Sequence, residues 1–250
     1  GAISKSYNVD WTAKRTELIS QGVFSAANAQ LSMRNLWRME DGLFWKRGED
    51  LRATNSLGQS EGADGAWAQV WRGKYSFDGA YGSSFGQNYN GIQIGYDKKR
   101  EGNLFGGEVY TGLFVSLLNS DADFNQHTIK SGTDEADYSS SAGDLESSGI
   151  GLYTSWIGDK GHYLDLNVRG SKLKNKYKFY DSDDALYEND YSTWAYGAGV
   201  RYGYQKHLPN GWYLEPQVGL TYGTMKAYSY TQDNNMRYNQ DKLDMFTGRL

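Results

Sequence analysis

From residue 66 onward, apolar and polar side chains alternate with a period of two over most of the chain, the pattern of strands whose two faces meet different surroundings. In HYLDLNVRGS, residues 162–171, Leu164, Leu166 and Val168 share one side, while Tyr163, Asp165, Asn167, Arg169 and Ser171 share the other. Ile92, Ile94 and Tyr96 oppose Gly91, Gln93, Gly95 and Asp97, and Ile150 and Leu152 oppose Gly149, Gly151 and Tyr153. Tyr196, Ala198, Val200, Tyr202 and Tyr204 oppose Gly197, Gly199, Arg201 and Gly203; Leu214, Val218, Leu220 and Tyr222 oppose Glu215, Gln217, Gly219 and Thr221. The alternation predicts strands near 66–72, 90–96, 107–117, 149–156, 162–171, 194–204 and 212–223, a weaker one near 235–238 and the start of another at 246–250.

Residues 25–52, SAANAQLSMRNLWRMEDGLFWKRGEDLR, break that period. Pro is absent, Gly is confined to Gly42 and Gly48, and good helix formers dominate, so a helix is predicted. Its apolar stripe is diffuse, made by Leu31, Leu36 and Met39 with Trp37 and Phe44, and Arg34, Arg38, Lys46, Arg47 and Arg52 are spread around the rest. Such a helix suits a polar enclosure. The polar, Gly-rich stretch 53–65 reads as a linker.

Connections after the second, fourth and sixth strands are short, and those after the others are longer, including a loop at 119–148. Trp156, Tyr163, Trp194, Trp212 and Tyr213 stand at strand ends, as an interfacial aromatic girdle would. An antiparallel strand over a soluble core also alternates, but a soluble sandwich has no reason to keep a long-short rhythm of loops together with terminal aromatics. An all-β, antiparallel transmembrane barrel accounts for all three, with Leu164, Leu166 and Val168 toward lipid and Asp165, Asn167 and Arg169 toward a hydrated lumen.

Composition sharpens this picture. Hydrophobic residues make up 38% and mean hydropathy is −0.74, with 31 Gly, 21 Tyr, 8 Trp and 2 Pro. Barrel strands give weak hydropathy of this kind, and disordered chains are poor in aromatics. No apolar run is long enough for a spanning helix. Cys is absent, so disulfides, thiolate zinc sites and Cys nucleophiles are excluded. His127, His162 and His207 have no ligand spacing, so neither metal nor cofactor is expected. A net charge of −4 argues against nucleic acid as a partner.

Several segments resemble the translocator domain of autotransporters, the type V secretion family, in its serine-protease-autotransporter-like form. WKRGEDLR (45–52) and EGADGAWAQVWRG (61–73) are similar to that family's helix end and first strand, NYNGIQIGYDKK to its second, GIGLYTSW to its fourth and NGWYLEPQVGLTYG to its seventh. The last is the most specific, because Pro216 stands where a strand interior normally rejects it. The resemblance implies a twelve-stranded barrel in the outer membrane of a Gram-negative bacterium, with a helical segment through the pore to a passenger at the cell surface. It divides the chain into the tail of the upstream passenger (1–24), pore helix and linker (25–62) and translocator barrel (63–250). About eight to nine strands are expected here, the C-terminal ones missing, which fits a truncated assembly substrate of the barrel-assembly machinery. Implied partners are outer-membrane lipid, that machinery, periplasmic chaperones and the chain's own passenger.

Carried onto this chain, the resemblance places Lys46, Arg47, Asp50 and Arg52 on the pore segment. Trp67, Gln69, Glu108, Tyr110, Asp165, Asn167, Arg169, Arg201, Glu215 and Gln217 would line the lumen around it. Some relatives cleave the passenger at an Asn-Asn pair, but the corresponding stretch here, DGLFWKR, lacks it, so no self-cleavage by that chemistry is expected. An outer-membrane protease or lipase is the rival from another class. His162 and Asp165 are three apart on a strand and so point to opposite faces, which leaves no catalytic pair. A passive porin would lack the helix.

Overall fold

The computed structural model describes residues 21–58, 64–78, 84–129, 136–180 and 185–250. The expected upstream tail, 1–24, lies outside them up to residue 20, as do residues 59–63 of the linker and the side chain of Phe44. One helix, α1 (Gln21–Ser56), precedes β1 (Gly65–Asp78), β2 (Ser84–Lys99), β3 (Gly107–Ile129), β4 (Ala136–Gly158), β5 (His162–Tyr180) and β6 (Leu186–Tyr204). Then come β7 (Lys206–His207), β8 (Tyr213–Leu214), β9 (Gln217–Met225), β10 (Tyr228–Thr231), β11 (Arg237–Gln240) and β12 (Leu243–Arg249).

Eight strands form one antiparallel sheet in the order β1-β2-β3-β4-β5-β6-β9-β12, and β7 with β8 and β10 with β11 make small ribbons within its connections. The sheet curves around α1. Its inner face and the helix share a main core, in which Ala26, Ala29, Met33, Leu36 and Trp37 pack with Phe85, Leu118, Phe124, Leu145, Leu173, Ala195 and Met225, and a smaller one of Leu51 with Tyr110, Phe114 and Tyr153. The two edge strands, β1 and β12, are not paired with each other. Between them a cleft of about 440 Å³ is lined by Leu31, Arg34 and Arg38 of α1, Tyr75 and Phe77 of β1, and Met245 to Thr247 of β12. An eight-stranded barrel closed on itself has an interior just filled by side chains; a sheet curved around a helix is wider than that.

At 36 residues, α1 is about 54 Å long, more than the hydrocarbon thickness of a bilayer. It extends the predicted helix by four residues at each end, so part of the expected linker is helical. The predicted stripe is corrected: Leu31 and Met39 are only partly buried, whereas Ser25, Asn28, Ser32 and Glu40 are fully buried. A helix enclosed by a polar wall is oriented by its partners, so hydrophobicity alone does not mark its buried face.

The strands are longer than alternation suggested, and the excess lies at one end. β3 and β4 have 23 residues each, so the expected loop 119–148 is mostly strand, paired from Asn119 opposite Glu146 upward. The reason shows on β5. Its outer face carries Leu164, Leu166 and Val168 and then Lys172, Lys174, Lys176 and Lys178, while its inner face changes from Asp165, Asn167, Arg169 and Ser171 to Leu173, Asn175, Tyr177 and Phe179. The polarity of the two faces inverts where the strand leaves the apolar band. Beyond that point the sheet behaves as a water-soluble hairpin stack with its own core, and a search for apolar outward residues stops too early.

Four further expectations change. Tyr163 is 1% exposed and faces inward with Asp165, so it does not belong to an interfacial girdle; the period-two alternation of β5 fixes it there. The strand predicted at 212–223 is split: Tyr213–Leu214 pair with β7, and β9 starts after Pro216, which has no N–H to give but whose carbonyl accepts from Tyr204 N at 3.0 Å. The weak strand near 235–238 begins at Arg237, because Asn235 has φ 62° and turns the chain. The final strand begins at Leu243 rather than 246.

Candidate functional site: a helix held in the lumen

The inner face of the sheet meets α1 through a ladder of charged and amide groups. Near the start, Asn175 Nδ2 donates to the Ala29 carbonyl at 2.8 Å, Asn35 Nδ2 donates to Gln87 Oε1 at 2.7 Å, and Gln87 Nε2 returns a bond to the Ser32 carbonyl at 3.1 Å. Midway, Glu40 is fully buried and accepts from three serines on three adjacent strands, Ser116 at 2.5 Å, Ser147 at 3.0 Å and Ser171 at 3.1 Å. Arg169 lies 3.3 Å from Asp41 and 4.4 Å from the centre of the Trp37 ring. Burying a carboxylate is costly unless it is hydrogen-bonded and paired; here the wall supplies those groups.

Lower down, Arg47 forks onto Asp97, Nε to Oδ2 at 2.6 Å and Nη2 to Oδ1 at 2.9 Å, in the bidentate arrangement that fixes both distance and angle. Asp165 forms the densest node. It accepts from Arg52 of the helix at 2.8 Å, from Arg201 Nη2 at 2.8 Å and from Ser155 at 2.7 Å. Arg201 in turn reaches Glu49 at 2.8 Å and the Trp45 carbonyl at 2.9 Å, and Arg52 lies 3.7 Å above the Tyr163 ring. Gly48 makes this approach possible: a Cβ there would stand 2.9 Å from both Asp165 oxygens. That explains a glycine in a helix interior, where it costs about 1 kcal/mol relative to alanine. Gly223 serves likewise, since a Cβ on it would overlap the Trp37 ring.

The residues singled out in the sequence take different places. Arg47, Arg52, Asp165, Arg169 and Arg201 form the helix-to-wall ion pairs. Gln69 donates to the Leu43 carbonyl at 3.4 Å, Glu108 accepts from Asn55 of the helix at 2.7 Å, and Glu215 lies 3.7 Å from Arg52. Trp67, Tyr110 and Gln217 support these groups through the wall, donating to or accepting from Tyr153, Glu108 and Tyr163 respectively. Asn167 is buried beside Trp45, with no side-chain hydrogen bond among the described residues. Lys46 and Asp50 are on α1 but exposed, and among the described residues their side chains pair only with each other, at 3.8 Å. Glu40, Asp41, Asp97 and the three serines were not singled out. Asp97 carries a signal in hindsight, as the one carboxylate on the face of β2 that it shares with Gly91, Gln93 and Gly95, whereas a serine on a strand carries none.

Above the apolar band the connection 226–242 folds inward over the start of the helix. Tyr191 stacks on Tyr228 and Tyr230 at 4.6 and 4.8 Å, Tyr177 and Tyr230 share a hydroxyl contact of 2.7 Å, and Gln232 donates to the Gly22 carbonyl at 3.1 Å. Burial pushes the Tyr228 and Tyr230 phenols well above their usual range, so they stay neutral. Among the described residues no group of three His, Cys, Asp or Glu is arranged to hold a metal ion.

Comparison with known proteins agrees with this architecture. The autotransporter beta-domain family matches residues 66–250. The chain is 32% identical over 200 residues to serine protease EspC of Escherichia coli O127:H6, covering 80% of this chain and 13% of that protein. It is 30% identical over 238 residues to the serine protease pet autotransporter of E. coli O44:H18, covering 95% and 15%. The pertactin autotransporter of Bordetella bronchiseptica is 26% identical, covering 90% and 23%. The chain thus spans less than a quarter of the length of these relatives. Among solved structures, the beta domain of the Bordetella autotransporter Brka superposes with a TM-score of 0.58 at 22% identity, covering 74% of this chain and 67% of that one. The transport unit of AIDA-I from E. coli gives 0.54 at 17%, covering 68% and 57%. The chain belongs to the autotransporter beta-domain family and is a translocator domain of the outer membrane.

Proposed function

We propose that this domain carries an N-terminal passenger to the cell surface, with α1 as the segment left in the pore, as the division into tail (1–24), pore helix and linker (25–62) and barrel (63–250) implies. The observation that supports this most is the ion-pair ladder. Four arginines, Arg47, Arg52, Arg169 and Arg201, and their carboxylates join a helix to a sheet far from it in sequence, and a wall evolved only to pass ions has no use for such partners. In this reading Trp67, Gln69, Glu108, Tyr110, Asp165, Asn167, Arg169, Arg201, Glu215 and Gln217 form the pore lining, and Arg47 and Arg52 anchor the helix. Lys46 and Asp50 stay exposed on α1.

The barrel domain itself performs no catalysis in this proposal. His162 Nδ1 meets Tyr202 Oη on the outer face at 2.7 Å, while Asp165 faces inward. Protease names among the relatives describe whole proteins of which this domain is a small part. The stretch DGLFWKR offers no Asn-Asn pair, so release of the passenger by that chemistry is not part of the proposal. Buried charge on both helix and wall has to be brought together before the sheet closes. This supports insertion by the barrel-assembly machinery, with periplasmic chaperones holding the chain until then.

Planar-bilayer conductance of the complete domain tests the proposal. Removing residues 1–56 is expected to raise single-channel conductance, because the lumen loses α1 while the lipid-facing strands are untouched. Unchanged conductance would place the helix outside the conduction path and favour a passive or differently plugged barrel.

A further inference from the structure

At the upper rim of the apolar band, two lysines on the outer face have no carboxylate partner among the described residues. Lys172 on β5 stands directly opposite Trp194 on β6, and Lys226, just past the end of β9, flanks Trp194 from the other side, its N–H donating to the Trp194 carbonyl at 2.8 Å. The three therefore form one row across three strands. One step toward the band, Tyr196 stacks with Trp194 at 6.4 Å and an interplanar angle of 10°, and Lys226 Nζ lies 5.5 Å from the Tyr196 ring centre. Gly170 lies opposite Tyr196, and a Cβ there would come within 3.2 Å of that ring, so the glycine lets the ring lie against β5.

Neighbouring lysines are different. Lys174 is 3.7 Å from Glu146, and Lys242 is 3.0 Å from Asp244. Lys172 faces Ser148 on β4 instead, and neither it nor Lys226 has a salt bridge among the described residues. Two unneutralised ammonium groups beside exposed aromatic faces, at the boundary between apolar and charged outer surface, match an anionic headgroup at the acyl boundary.

We propose that Lys172, Lys226, Trp194 and Tyr196 form a binding site for a phosphate-bearing lipid of the outer leaflet. The ammonium groups hold the phosphate, and the aromatic pair lies against the sugar and the first acyl carbons. The choice of leaflet rests on the reading that the long hairpins face outward; the site itself does not.

The test is native mass spectrometry of the intact, detergent-folded protein titrated with bis-phosphorylated lipid A and with its dephosphorylated form. The wild type should retain the phosphorylated lipid, and Lys172→Gln with Lys226→Gln should weaken retention about thirtyfold, from the loss of two headgroup contacts. Lys178→Gln, farther up the same strand, should leave it unchanged, and unchanged heat-modifiable gel mobility confirms the fold of each variant. Equal retention by the double variant, equal retention of the dephosphorylated lipid, or displacement by excess inorganic phosphate would each overturn the proposal. Orientation is read separately: Asp123→Cys should react with an impermeant maleimide on intact cells, and Asp159→Cys should not. The reverse would overturn the leaflet assignment while leaving the binding measurement to stand or fall by itself.

Discussion

Asp165→Asn is expected to lower the stability of the folded domain by about 3–5 kcal/mol, the range for removing one partner of a buried ion pair. The carboxylate binds Arg52 of the helix and Arg201 of the wall, both nearly inaccessible to solvent. Neutralising it leaves two buried guanidinium groups with only Glu49 and Glu215 at the margin. Asparagine keeps the shape, so the loss reports charge and not a cavity. The urea midpoint of detergent-folded protein is the measurement. Lys46→Ala, which breaks only an exposed pair, should change it by less than about 1 kcal/mol. Similar losses in both would mean that the node contributes no more than a surface contact.

The second large effect concerns the opposite face of the same strand. Leu166→Arg should cost about 2–4 kcal/mol in a bilayer, because Leu166 lies within the apolar stretch between Leu164 and Val168. The same replacement at Ser192, above that stretch on β6 and beside Lys174, should cost about 0–1 kcal/mol. Refolding yield into lipid vesicles, followed by heat-modifiable mobility, distinguishes the two. Equal yields would mean that lipid does not contact this face.

The membrane-embedded half of the fold was readable from alternation, because lipid and lumen impose opposite chemistry on successive residues. Asp165, Arg169 and Arg201 stood out as charges among apolar neighbours, and they proved to face the helix. The upper half was not readable in the same way. There water bathes the outer face, so Lys172, Lys174, Lys176 and Lys178 alternate with buried Leu173, Asn175, Tyr177 and Phe179, and a polar loop and a soluble strand look alike. Pro216 was noticed as unusual, but its consequence, a break between two strands, depends on where Tyr204 places its N–H.

The helix was visible as a segment and not as a docked object. Its buried face mixes alanine, serine, asparagine and glutamate, chosen to fit Gln87, Ser116, Ser147 and Ser171 on four strands. No periodicity within α1 encodes that match, since the complementary half lies elsewhere in the chain. The same holds for Gly48, a poor helix residue by itself and a necessary one beside Asp165.

That α1 lies inside the sheet is tested most directly by a double-mutant cycle on Arg47 and Asp97, which are 50 residues apart and meet through a two-pronged contact. Arg47→Ala, Asp97→Ala and the double variant are compared by urea midpoint in the folded complete domain. A helix seated in the lumen predicts a coupling of about 1–3 kcal/mol between them, and additive effects, with a coupling below about 0.5 kcal/mol, would contradict it.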